Sequence, residues 1–134
     1  MSQDIRWKQR FQNFEKAEKL LAEIADYDEN GEFDIACEGF IQRFEFTFEL
    51  AWKTMKDYLE YLLVEVEPSP RFVIQEAYEK GIIPNAQIFI EMAKSCNKMS
   101  HEYDREKFKE IYFKIKNEYQ PAIHELYEFF KEKL

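Results

Sequence analysis

The sequence predicts an all-α protein, an up-and-down antiparallel bundle of five helices that forms one domain over residues 1–134. Only three Gly and four Pro occur, which leaves few of the residues that an all-β fold needs for its turns. The chain is 46% hydrophobic and 17% aromatic, which favours a large buried core over disorder. Apolar residues recur every three or four positions, the spacing of one helical face.

The first two helices are long and amphipathic. The first is predicted over about residues 4–26, and the polar segment 28–31 ends it. The second runs from about Phe33 to Val64. Its apolar stripe should face the core and consists of Phe40, Phe44, Phe48, Ala51, Met55, Leu59 and Leu62.

Two shorter helices should take the place of a fourth long one. Ser69 followed by Pro70 is typical of an N-cap with proline at the first helical position, and Gly81 suits the C-terminal turn. We therefore expect a third helix over about residues 70–80 and a fourth over about 86–97.

The fifth helix is predicted to begin after Asp104, which can cap it. Its apolar face includes Ile115 and Tyr119, and it continues to the last residues of the chain. Pro121 has no amide hydrogen and its ring clashes with the carbonyl of Asn117. We expect a kink there.

Two large apolar residues lie on the back of the second helix. Phe46 and Leu50 fall roughly opposite the core stripe and are flanked by Arg43 and Lys53. A second copy of the protein would cover them, because two-fold dimers are the common solution for such a face. The alternative is a helix surrounded on all sides by its own bundle.

Composition also limits the cellular setting. A net charge of −8 argues against a DNA-binding protein or one that binds anionic membranes. No signal peptide or membrane-spanning segment is predicted, and Cys37 and Cys96 form no paired motif. We expect a cytoplasmic protein without membrane contact.

The charge is unevenly distributed. Residues 94–116 contain seven Lys or Arg against four acidic residues, whereas the remainder contains twelve against twenty-three. Within this cationic stretch His101 and Tyr103 lie in a predicted helix–helix junction, where polar side chains are available for chemistry. A neutral imidazole there can take a proton from a ribose hydroxyl. The alternative is a solvated turn among scattered helix charges.

Other motifs give weaker signals. Glu45 and Glu49 are one turn apart and could act as paired carboxylates, but Glu49 is also in the favoured order for an ion pair with Lys53. The segment from Asp26 resembles the start of an EF-hand, yet Cys37 occupies the position of its bidentate glutamate. No glycine-rich phosphate loop occurs. We predict no metal site and no cofactor.

Two segments carry a resemblance to a known family. Residues 6–11 (RWKQRF) and 41–53 (IQRFEFTFELAWK) closely resemble the nucleotidyltransferase substrate-binding protein family, and the similarity covers nearly the whole chain. The segment 97–104, with Asn97, Ser100-His101 and Tyr103-Asp104, is similar to the late motif of that family.

The family is a branch of the HEPN superfamily, alongside HepT-like toxins. The resemblance implies a dimer of helical bundles that binds a separately encoded minimal nucleotidyltransferase of the MntA type, as in a toxin–antitoxin system. It also implies that the partner adenylylates a tyrosine of this motif region, for which Tyr103 is the match.

HEPN ribonucleases have an arginine, four residues, and then His-x-Tyr. His101 and Tyr103 match the second part, but the arginine position is Cys96, which supplies no permanent cation. Lys94 or Lys98 would have to substitute. The departure bears on ribonuclease activity more than on complex formation.

Three hypotheses follow. In the first, the chain is a non-catalytic binding subunit, a homodimer that binds a nucleotidyltransferase and a nucleotide or RNA. In the second it is a metal-independent ribonuclease that uses His101 and Tyr103 as catalytic residues. In the third it is a purely structural dimer. The binding residues predicted for the first are Arg43, Glu45, Glu49, Asn97, Ser100, His101, Tyr103 and Asp104.

Overall fold

The structure, a computed structural model, describes the backbone of residues 2–27, 35–99 and 105–134 and the side chains of residues 2–23, 39–96 and 110–134. These segments form four α-helices and a fifth helix that a π-helical turn divides into two, without a β-strand, which confirms the predicted all-α bundle. The α-helical segments are α1 Gln3–Tyr27, α2 Ile35–Tyr61, α3 Pro70–Glu79, α4 Ala86–Met99, α5 Arg105–Lys114 and α6 Gln120–Lys133, and a π-helical turn at Ile115–Tyr119 joins α5 to α6.

Aromatic contacts define the directions of the long helices. Trp7, near the start of α1, has its ring centroid 4.9 Å from that of Tyr58 near the end of α2. The same indole lies 5.8 Å from Phe130 near the end of α6. At the other end of the bundle Phe40 of α2 contacts Tyr112 of α5 at 5.0 Å. Helix α1 is therefore antiparallel to α2 and to α6, while α3 and α4 pack on each other beside α2.

The core is built from the predicted stripe of α2 and the facing residues of the other helices. Six of the seven predicted stripe residues, from Phe40 to Leu59, are at most 3% exposed. Burying each large apolar side chain contributes about 1.5–3 kcal/mol. The prediction was wrong for Leu62, which is 42% exposed, because α2 ends at Tyr61 and not near Val64.

The same C-terminal turn ends α2 and α3. In α3, Gly81 has φ +78, and the amide of Ile82 donates to the carbonyl of Ala77. In α2, Leu63 has φ +63, and the amide of Val64 donates to the carbonyl of Leu59. Glycine adopts this left-handed conformation without strain, as predicted for Gly81, whereas leucine does not. Leu63 is also 86% exposed.

Pro121 is accommodated by the π-helical turn. The amide of Gln120 donates to the carbonyl of Ile115, five residues earlier, instead of four. The turn ends at the residue before Gln120, and Pro121 occupies the first turn of α6, where its missing amide hydrogen costs nothing. The irregularity predicted from the proline therefore takes the form of a widened helical turn.

A histidine links α6 to α1. His124 Nδ1 lies 2.7 Å from Oε1 of Glu18, a buried carboxylate on α1, and its Nε2 lies 2.9 Å from Glu128. The hydrogen bond to Glu18 raises the pKa of His124 above its ordinary value. The sequence alone does not reveal this link, because Glu18 and His124 are 106 positions apart.

Replacing Leu63 by glycine should stabilise the protein. Leu63→Gly removes the left-handed strain, loses almost no buried surface, and should raise the free energy of unfolding by about 0.5–1 kcal/mol. Urea denaturation measures the change. Leu63→Ala is the control, because it truncates the side chain and keeps the strain. Equal stability of the two variants would show that the backbone at Leu63 is not strained.

The His124–Glu18 interaction should make stability depend on pH. Because folding raises the histidine pKa, its contribution is fully present below the ordinary pKa of about 6.5 and is lost as pH rises through the folded-state pKa. His124→Gln should therefore cost about 0.5–1 kcal/mol near pH 5.5, a figure reduced for solvent screening because His124 is half-exposed, and less near pH 9. Thermal unfolding at the two pH values tests this, with Glu125→Gln as the control. An equal loss at both pH values would contradict it.

Candidate functional site

One strip of α2 is left open by the bundle. We call Glu45, Phe46 and Glu49 the α2 outer face. Phe46 is 63% exposed, as expected for the back of this helix. Leu50, expected to be exposed beside it, is half-buried and packs against the core. The predicted apolar patch is thus reduced to the single ring of Phe46 between two carboxylates.

The α2 outer face borders the C-terminal part of α4. Together with Cys96 it lines a surface hollow of about 460 Å³, whose far side contains Pro70 of α3 and Ala93 of α4. Helix α4 continues to Met99, so the hollow lies immediately before the predicted junction at residues 97–104. The structure therefore brings Glu45 and Glu49 to the beginning of that junction.

The two carboxylates differ in their partners. Glu49 accepts a hydrogen bond from Trp52 Nε1 at 3.1 Å and pairs with Lys53 Nζ at 3.0 Å, the ion pair that the spacing predicted. Glu45 has no hydrogen bond or ion pair with any other side chain that the structure describes. Burial raises the pKa of Glu45, which indicates a carboxylate without a counterion among those side chains. Glu45 is the carboxylate that remains available to a ligand or partner.

The thiol of Cys96 is held in its protonated form. Burial first, and then the charges of Glu45 and Glu49, raises its pKa to about 12. A thiol with that pKa stays protonated near neutral pH and is a poor nucleophile. Within the described side chains no group of three His, Cys, Asp or Glu is arranged to hold a metal ion.

Arg43 belongs to a different side of α2. Its Nη1 donates to the carbonyl of Leu20 on α1 at 3.2 Å. Arg43 is absent from the described lining of the hollow that contains Glu45 and Glu49. The structure thus separates Arg43 from the two carboxylates with which sequence analysis had grouped it.

Most of the predicted junction lies outside the described residues. Ser100, His101, Tyr103 and Asp104 fall in the gap between α4 and α5, and the side chain of Asn97 is likewise outside the described set. Their catalytic, binding and modification roles remain predictions. The acidic segment that begins at Asp26 is also beyond the described side chains. No helix in the described ranges is both long and apolar enough to cross a membrane.

Comparison with known proteins identifies the family. A crystal structure of a protein from Thermus thermophilus has a similar fold, with a TM-score of 0.74 and 28% identity over 84% of this chain and 94% of that one. The probable ribonuclease HepT of Haemophilus influenzae is 30% identical over 86 residues, which is 61% of this chain and only 59% of HepT. A family profile described as nucleotidyltransferase substrate binding protein like matches residues 9–132. This chain therefore belongs to the nucleotidyltransferase substrate-binding protein-like family.

Proposed function

We propose that this chain is the non-catalytic, substrate-binding subunit of a two-component system and forms a complex with a separately encoded minimal nucleotidyltransferase. The family membership supports the class of function. The observation that carries the proposal is Glu45, half-buried and without a described counterion, beside the exposed ring of Phe46 on the α2 outer face. A carboxylate kept partly out of water in this way favours a partner that supplies an Arg or Lys.

The chain also acts as a homodimer in this proposal. Phe46 is 63% exposed, and aromatic side chains are enriched in protein–protein contact surfaces. A two-fold dimer through Phe46 would put two copies of the Glu45–Cys96 hollow near the subunit boundary. The nucleotidyltransferase would then bind at the edge of the dimer, where Glu45 lies beside Cys96 of α4.

A ribonuclease is the second candidate function. The similarity to the probable ribonuclease HepT supports it, and His101 and Tyr103 would be the catalytic residues. The neutral Cys96 thiol weighs against it, because no cation stands at that position to hold a phosphate.

The adenylylation of Tyr103 belongs to the first function: the tyrosine oxygen would attack the α-phosphorus of ATP, and pyrophosphate would leave.

The complex should be detectable by light scattering. When the chain is mixed at micromolar concentration with the nucleotidyltransferase encoded beside it, we expect one species with the summed mass. Glu45→Arg should weaken the complex at least about tenfold, because the new arginine would repel the basic surface of the partner. Glu125→Arg is the control, an exposed residue on α6 with the same charge change. Two unshifted peaks, or equal effects of both variants, would refute the proposal.

RNA cleavage in EDTA separates the two functions. We expect little cleavage by the native chain, and a gain of about tenfold or more in Cys96→Arg, because Glu45 and Glu49 can pair with the new guanidinium while it contacts a phosphate. Cys96→Ala is the matched control. Strong cleavage by the native chain that disappears in His101→Ala would instead establish the ribonuclease, and no gain in Cys96→Arg would show that the site is not a decayed nuclease.

A further inference from the structure

A second hollow adjoins the one on the α2 outer face and has the opposite charge. It lies between the start of α3 and the first and middle turns of α4 and has a volume of about 500 Å³, within the range of about 300–1,000 Å³ that small-molecule sites occupy. The two hollows share Pro70 and Ala93 as their common border. We call this second one the α3–α4 hollow. Its polar lining consists of Ser69, Arg71, Gln75, Gln87 and Lys94.

The α3–α4 hollow is cationic in an anionic protein. Arg71 and Lys94 line it, and no described carboxylate does, although the chain as a whole carries a net charge of −8. Neither Arg71 nor Lys94 forms an ion pair with a described carboxylate. By contrast, Lys114 of α5 pairs with Glu91 of α4. Two such cations on one concave surface create a local positive potential.

The neutral groups of this hollow complement the cations. Ser69 occupies the N-cap position of α3, but its hydroxyl caps no amide of the helix. The hydroxyl and the side-chain amides of Gln75 and Gln87 are therefore donors on the hollow surface. Ile90 and Ala93 supply an apolar wall. Cations with neutral donors suit phosphate oxygens, and an apolar wall suits a base or ribose.

We infer that the α3–α4 hollow binds the phosphate groups of a nucleotide, with Arg71 and Lys94 as the charged contacts. The site is distinct from the carboxylates of the α2 outer face. It stands beside the proposed function and does not depend on it, so complex formation and nucleotide binding can fail separately. Free nucleotide and the backbone of an RNA strand share this phosphate chemistry.

Calorimetric titration of the full chain with ATP tests the site. We expect binding that is competed by inorganic triphosphate and is absent with adenosine, because the phosphates carry the contact. Arg71→Gln and Lys94→Gln should each weaken ATP binding about fivefold or more, and higher salt should weaken it further. Lys80→Gln is the control, because it removes the same charge from an exposed lysine beyond the end of α3. The affinity of this variant for ATP should change less than about twofold.

The ligand source is resolved by a second titrant, a short single-stranded RNA. If the RNA competes with ATP and Arg71→Gln weakens both, the strand backbone is a ligand of the hollow. If ATP binds and the RNA does not compete, the site takes free nucleotides. Absence of ATP and triphosphate binding at millimolar concentration, or equal loss in Lys80→Gln, would overturn the inference.

Nuclear magnetic resonance locates the contact directly. On addition of ATP, the backbone amide shifts should concentrate in residues 69–75 and 87–94. A competing location is the hollow between α1 and α6, which Lys19, Lys116 and His124 line together with Glu18 and Glu23. Shifts centred there would also overturn the inference.

Discussion

Helix α2 packs against the bundle along one side and keeps Phe46 exposed on the other, and the proposed contacts depend on this asymmetry. The closed side carries Phe40, Phe44, Phe48, Met55 and Leu59, all at most 3% exposed. Helix α1 covers that stripe along its length, and α6 completes the layer. The ring of Phe46 on the open side is 63% exposed, and in the proposed dimer a second molecule would bury it.

Charge divides the neighbouring surface into two unlike halves. Glu45 and Glu49 lie on one side of the Pro70–Ala93 border, and Arg71 and Lys94 lie on the other. The acidic half suits a basic protein surface, and the basic half suits phosphate. Cys96 lies in the acidic half as a neutral thiol, which is why binding fits this surface better than nucleophilic chemistry.

Periodicity in the sequence was enough for the helices and most of the core, because each depends on residues within a few turns of one another. It failed at Leu62, since nothing local shows that Leu63 adopts a left-handed backbone conformation and ends α2 early. The contacts that could not be predicted from the sequence are long-range. Arg43 donates to a carbonyl of α1, and His124 binds a carboxylate 106 positions away.

The candidate site was predictable only in part. The exposed ring of Phe46 and the Glu49–Lys53 pair followed from helical geometry alone. The α3–α4 hollow did not, because Arg71 and Lys94 are brought together by a hairpin whose packing no spacing rule specifies. His101 and Tyr103 remain predictions that rest on the family resemblance and on their position after α4.

The most direct measurement is a photocross-link from the open side of α2. Phe46 is replaced by p-benzoylphenylalanine, the purified chain is irradiated at micromolar concentration, and the products are separated under denaturing conditions. Phe72, which is 47% exposed on α3, receives the same replacement as the control. A covalent dimer from position 46 and little from position 72 is the expected result. Only monomer from position 46, or equal dimer from both positions, would contradict the claim that this face is a contact surface.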